Sequence, residues 1–185
     1  LLKAKHVIAT VNGTSALHLC YLLAGIELGD EVLCPTVTFV ATANAIRYCG
    51  AIPHFIDCNP TDLNIDLDSL EKYLKSEFKL DSNLGCVNKN TGREVKAIVT
   101  THIFGHISQL DRLQKLAKKY QLTLIEDAAQ ALGSTFNSKS PGYYGDLAAL
   151  SFNGNKIITT GGGGAIITND DFLSDKARKL VSTAR

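Results

Sequence analysis

No apolar stretch in this 185-residue sequence approaches the roughly 18 residues that a bilayer-spanning helix needs. The opening LLKAKHV also lacks the basic, apolar and small-residue order of a secretory signal. A cytoplasmic protein without membrane attachment is therefore the expectation. An excess of charge of one sign is missing too, since 19 basic residues stand against 18 acidic ones for a net charge of +1. That balance excludes broad attraction to nucleic acid or an anionic membrane, so an anionic ligand must be held by a local site. Cysteines lie at 20, 34, 49, 58 and 86 without a CxxC pair, which suits neither a disulfide framework nor a zinc site. Reduced thiols in or near a core are expected. No internal repeat or low-complexity tract is visible.

What is present is ordinary for a globular chain, with 45% apolar and 20% charged residues. The length suits one domain over residues 1–185. Short β-rich runs at 31–34, 52–57, 96–101, 122–126, 147–152 and 164–168 alternate with helical patterns near 38–49, 67–76, 109–120 and 170–183. Such alternation predicts an α/β fold of three layers, α/β/α, with a mostly parallel central sheet. A further helix follows Asn12-Gly13 and closes at Gly25 and Gly29. In the segment 109–120, Leu110, Leu113, Leu116 and Ala117 share one face opposite charges, which predicts an amphipathic surface helix. The polar, turn-rich stretch 81–94 reads as a long surface loop. No clear element opens the chain, and Arg185 falls inside a helical pattern without a glycine cap or proline stop, so both ends read as cut.

Three constellations carry chemistry. In Val11-Asn12-Gly13-Thr14-Ser15-Ala16 a glycine turn runs into a helix, whose unpaired N–H groups, dipole and two hydroxyls would cradle a phosphate. Thr14 or Ser15 would equally serve as a plain helix cap. In Leu124-Ile125-Glu126-Asp127-Ala128-Ala129-Gln130 an apolar strand ends in two acids, where open α/β sheets bind ligands. A carboxylate buried there needs a partner such as a protonated heterocycle, while a helix cap or surface acid is the bland alternative. The third is Ser151-Phe152-Asn153-Gly154-Asn155-Lys156, followed shortly by Gly161 to Gly164. A lysine between an apolar strand and four glycines is poorly explained as a solvated charge, and its amine can condense with an aldehyde cofactor. The glycine run fits neither GxxxxGK[ST] nor a dinucleotide fingerprint, since it precedes a strand. His102 and His106 are four apart, but Gly105 between them favours a loop and no third ligand is evident, so no metal is expected. Phe39 is either core or an aromatic wall for a planar cofactor.

In order, GTSAL, PTVTFVATANAI, IEDAAQALGS and SFNGNKIITTGGGG resemble the fold type I pyridoxal-phosphate (PLP) enzymes of the nucleotide-sugar aminotransferase family, the DegT family. The resemblance covers essentially the whole chain. It implies that Lys156 carries PLP covalently and shuttles a proton, and that Asp127 pairs with the pyridinium nitrogen. Gln130 would bond the ring hydroxyl and Phe39 would stack on the ring. Gly13, Thr14, Ser15 and Ser151 would hold the phosphate. Asn153 stands where many relatives carry histidine, and Gly162 where they commonly carry glutamate. With SFNGNK, that departure looks most like the branch that aminates C4 of UDP-4-keto-6-deoxy-HexNAc sugars toward legionaminic-type acids. The implied function is transfer of an amino group, with glutamate as donor, to the keto carbon of a nucleotide-linked sugar. Homodimers with shared active sites and a smaller second domain are implied as well. Since that second domain is absent from residues 1–185, the segment alone is not expected to be active. A PLP-dependent sugar dehydratase and a non-catalytic PLP-binding module are the alternatives; the former places histidine where Lys156 stands.

Overall fold

The computed structural model describes residues 2–107 and 109–182. Strand β1 (His6–Thr10) leads into α1 (Gly13–Leu23), then β2 (Glu31–Pro35), α2 (Val40–Tyr48), β3 (Ile52–Ile56) and α3 (Leu67–Glu77). A hairpin of β4 (Phe78–Asp81) and β5 (Gly85–Asn88) precedes β6 (Val95–Thr101), α4 (Leu110–Lys119) and β7 (Thr123–Asp127). The order closes with β8 (Leu147–Ser151), β9 (Gly164–Thr168) and α5 (Asp171–Val181). Seven strands form one sheet in the order β1-β9-β8-β7-β6-β2-β3. Neighbours from β3 across to β8 are parallel, and β9 is antiparallel to both β8 and β1, so β9 alone runs against the rest.

Both faces of this sheet are buried, which is why its strands read as nearly continuous apolar runs. Side chains alternate between faces along each strand. Val32, Val99, Ile125, Leu147 and Ile166 face α1, α2 and α5, while Leu33, Ile98, Leu124, Leu150 and Ile167 face α3 and α4. Leu110, Leu113, Leu116 and Ala117 of α4 are buried as predicted. The expected three-layer α/β/α architecture is thus present. All five cysteines are free, and Cys20, Cys34 and Cys86 are buried. Burial pushes the Cys34 thiol up to about 12 and that of Cys86 to about 11, so these groups behave as small core hydrophobes. No helix among the described residues is long and apolar enough to cross a membrane.

The structure corrects the sequence reading in two places. Part of the stretch expected as a surface loop over 81–94 is the β4–β5 hairpin, whose pairing sets Phe78 opposite Asn88 and Asp81 opposite Gly85. The Asp81 side chain accepts the N–H groups of Asn83 and Leu84 to form its turn, and Phe78, Cys86 and Val87 reach the core. At the start of the chain, where no element was expected, β1 forms the sheet edge. The predicted helix over 170–183 is seen as α5; Thr183 and the expected end within a helix at Arg185 lie outside the described residues.

Glu31 fastens the hairpin to the sheet. It is buried on β2 and accepts from Asn88 Nδ2 at 2.8 Å and Thr91 Oγ1 at 2.7 Å, with His54 Nδ1 at 2.9 Å. Burial alone would raise its carboxyl, but the bonds from Asn88, Thr91 and His54 together outweigh it and hold the group below its ordinary value. A carboxyl depressed by folding contributes stability that is present above its unfolded value and drains away as pH falls through the folded one. The expected result is that Glu31→Gln flattens the acid limb of thermal stability below about pH 4.3, measured by circular dichroism against the parent protein. An unchanged limb would show that Glu31 carries no such linkage.

Candidate functional site

The carboxyl ends of the parallel strands converge on one side of the sheet, where open α/β folds bind ligands. β1 ends at Thr10, just before Asn12 and Gly13, β6 at Thr101, β7 at Asp127 and β8 at Ser151. The segment after β2 brings Phe39, and the loop after β8 brings Asn153, Asn155 and Lys156. Together these line a cavity of about 400 Å³, within the range of small-molecule sites.

The start of α1 lines the cavity. Its cap is Asn12 rather than Thr14 or Ser15: the Asn12 side chain accepts the Ser15 N–H at 2.7 Å. Gly13, Thr14 and Ser151 line the cavity, and the Ser15 N–H is committed to the cap. A Cβ on Gly13 would lie 2.8 Å from the Ser151 Cβ, so only glycine lets the helix start approach strand β8 this closely. The glycine run serves a similar approach by backbone. Gly163 bridges Asn12, and a Cβ on Gly164 would sit 2.5 Å from the Asn12 carbonyl.

Asp127, at the end of β7, lines the same cavity and is only 4% exposed, which rules out the surface-acid reading. Its Oδ2 accepts the Thr42 hydroxyl at 2.6 Å and its Oδ1 the Ala129 N–H at 3.2 Å. Burial pushes the Asp127 carboxyl up, while the Thr42 and Ala129 bonds and the fields of His102 and Lys156 pull it down without fully compensating. Such a carboxyl is short of positive charge, and a cationic heterocycle placed in the cavity would supply it. Lys156 lines the same cavity, near enough to act on Asp127 through space.

An aromatic ring and two amides also border the cavity. Phe39 is 65% exposed and lines the cavity, so the core reading of this aromatic fails. The Gln130 Oε1 accepts the Phe104 N–H at 2.8 Å, which leaves its amide NH2 free to donate. Asn153 lines the cavity from the β8 loop, and its carbonyl accepts the Lys156 N–H at 3.0 Å. The two histidines part company. His102 is fully buried with Nε2 2.8 Å from the Glu126 carboxylate, whereas His106 is exposed. No cluster of metal-ligating side chains exists among the described residues.

Sequence reasoning missed Asn12, Thr42, Thr101 and Asn155. An asparagine directly before a glycine and an apolar helix is itself a strong cap signal, so Asn12 was findable. Thr38 lies just before α2 and Thr42 in its first turn, with their hydroxyls 2.7 Å apart. Its contact with Asp127 spans 85 residues and left no local trace.

Residues 1–185 match the family described as DegT/DnrJ/EryC1/StrS aminotransferase. The chain is 43% identical over 176 residues to GDP-perosamine synthase of Caulobacter vibrioides, covering 95% of this chain and 43% of that protein. A crystal structure of a DegT DnrJ EryC1 StrS aminotransferase from Brucella abortus aligns with a TM-score of 0.87 at 34% identity, over 97% of this chain and 46% of the other. NtdA from Bacillus subtilis, solved with bound cofactor PMP, aligns with a TM-score of 0.81 at 33% identity, over 96% and 36% respectively. The chain spans less than half the length of these relatives.

Proposed function

We propose, since the chain belongs to the DegT/DnrJ/EryC1/StrS aminotransferase family, that residues 1–185 form the cofactor-binding domain of a PLP-dependent nucleotide-sugar aminotransferase. One observation carries the reading: an amine, a buried carboxylate and a helix start line a single cavity. When bound there, PLP supplies an aldehyde for exchange of amino groups and a ring that withdraws electrons. Lys156 Nζ holds the cofactor and moves the proton at the reacting carbon. Asp127 keeps the ring nitrogen protonated, and the Gln130 amide donates to the ring hydroxyl. Phe39 covers the ring face and excludes water from it. The N–H groups at Gly13 and Thr14, with the Thr14 and Ser151 hydroxyls, bind the phosphate. Asn153 orients the lysine loop.

The substrate is a nucleotide-linked keto sugar, and the finer reading is amination at C4 of a UDP-4-keto-6-deoxy-HexNAc with glutamate as donor. SFNGNK and Gly162 support that branch, while the name of the Caulobacter relative keeps GDP sugars as the competing class. A homodimer with shared sites is supported by exposed apolar side chains next to cavity residues: Val11 adjoins Asn12 in the chain, Ile157 and Ile158 follow Lys156, and the Phe104 N–H bonds to Gln130. Lys156 favours transamination over the dehydratase alternative.

The test is an assay of the full-length enzyme with glutamate and a panel of UDP-, dTDP- and GDP-linked keto sugars, read by mass spectrometry of the sugar product. Amination of a UDP-linked 4-keto sugar is the expected outcome. Transfer to an amino-acid ketone with no sugar aminated would refute the substrate class.

A further inference from the structure

Three threonines from different elements are joined in a chain of short bonds that ends on Asp127. Thr42 Oγ1 lies 2.6 Å from Asp127 Oδ2, Thr38 Oγ1 lies 2.7 Å from Thr42 Oγ1, and Thr101 Oγ1 lies 2.7 Å from Thr38 Oγ1. Chemistry fixes the direction of every one of these bonds. An ionised carboxylate only accepts, so Thr42 spends its single proton on Asp127. Thr42 must then accept from Thr38, which leaves Thr38 to accept from Thr101. The chain points one way, from Thr101 on the cavity wall to the carboxylate.

We propose that Thr42, Thr38 and Thr101 act as a one-way hydroxyl relay that orients the Asp127 carboxylate and holds it as an acceptor for the cofactor ring. The inference rests on the cofactor reading given above. Thr42 is a positioning residue, since it touches Asp127 and does not itself line the cavity. A donor already polarised by a second hydroxyl gives a stronger bond than an isolated one. The relay therefore offsets part of the burial that opposes ionisation. Thr42 is itself completely buried, and its backbone carbonyl is gripped by the Tyr21 hydroxyl at 3.1 Å, so its donor is held in place.

Few other groups facing Asp127 can take over this role. Cys20 and Tyr21 on α1 and Cys34 on β2 face it, and burial raises all three, so they add no positive charge. His102 and Lys156 supply favourable fields, yet neither bonds to its oxygens. Among the described residues, the two carboxylate oxygens are held by Thr42 and the Ala129 N–H.

The test is a graded set of variants in the full-length protein with two readouts. Ionisation of Asp127 is followed in cofactor-free protein by infrared difference spectra against pH, assigned with Asp127→Asn. In the holoenzyme the pH titration of the cofactor's visible absorbance is recorded. Thr42→Val should raise the pH at which Asp127 ionises by about one to two units, the size expected for one lost bond to a charged group. Thr42→Ser, which keeps the hydroxyl, should restore the parent titration. Thr38→Val and Thr101→Val should shift it in the same direction and by less. An unchanged titration in Thr42→Val overturns the relay, and so does an equal shift in Thr42→Ser, which would assign the effect to the lost methyl contacts. If Thr42→Val does not fold, the Thr38 and Thr101 variants decide through the same titration. A parent protein that bound no PLP would overturn the cofactor reading and leave the cofactor-free titration of Asp127 to judge the relay.

Discussion

Replacing Lys156 by alanine is expected to remove the visible absorbance of the lysine-bound cofactor and to reduce amino transfer by more than about a thousandfold. The reason is that one side chain performs two tasks. Its amine anchors the cofactor, and once released it carries the proton between carbons, a contribution worth about 10² to 10⁴ on its own. The substitution should leave the fold intact. Among the described residues Lys156 makes no ion pair, and its loop is held by the Lys156 N–H bond to the Asn153 carbonyl, which alanine keeps. Stability within about 0.5 kcal/mol of the parent is therefore expected. Visible spectra, single-turnover transfer and thermal unfolding check the three parts. Transfer at the parent rate by the alanine variant would remove Lys156 from its assigned role.

Asp127→Asn is expected to lower transfer by about 10² to 10³ while raising the melting temperature at neutral pH. The two effects have opposite signs for one physical reason. The loss in rate follows from removing a preorganised charge opposite the ring nitrogen, comparable with loss of a strong electrostatic contact in other sites. The gain in stability follows from linkage. Burial raises the folded Asp127 carboxyl above its unfolded value, so its contribution is fully present below the unfolded value and is lost as pH rises through the folded one. Once ionised, the group burdens the cofactor-free fold, and the neutral amide relieves that burden. The asparagine carbonyl can still accept the Thr42 hydroxyl, but its amide NH2 then stands opposite the Ala129 N–H, and that lost bond offsets part of the gain. Unfolding of both proteins without cofactor across pH 4 to 9 measures the effect, in steps of about one unit. A variant that loses rate and stability together would point to general damage instead. Such opposition between stability and activity is common where function demands a buried charge.

How far the fold was legible depended on burial. The strands β2, β3, β6, β7, β8 and β9 could be read because two apolar faces leave unbroken runs such as those around Ile98 and Ile125. The hairpin of Phe78–Asp81 and Gly85–Asn88 was not legible, because each four-residue strand shows too little alternation and its turn is made by one aspartate side chain. The edge strand His6–Thr10 was hidden for another reason: its partner is nearly the whole chain away. In the cavity, Lys156, Asp127, Phe39, Gln130, Ser151, Asn153, Gly13 and Thr14 could all be named from motifs. The cap at Asn12 was legible as an asparagine before a glycine but was not singled out, and the bond from Thr42 to Asp127 left no local trace. That bond depends on side-chain geometry that spacing alone leaves open.

The pairing of His6 with Thr168 has a consequence for how the protein is made. On the ribosome, the first strand emerges early and must wait for the ninth, while the parallel centre of the sheet can assemble from segments closer together. Contacts between such distant segments are the slow ones in folding. The bridge between Asn12 and Gly163 closes in the same late event, so the anion-binding end of the cavity is finished last. A nascent chain stopped before Gly164 would hold Asp127 but lack the strand that fixes Asn12 beside the cavity. On the proposed reading, capture of the cofactor would then belong to the final stage of synthesis of this segment.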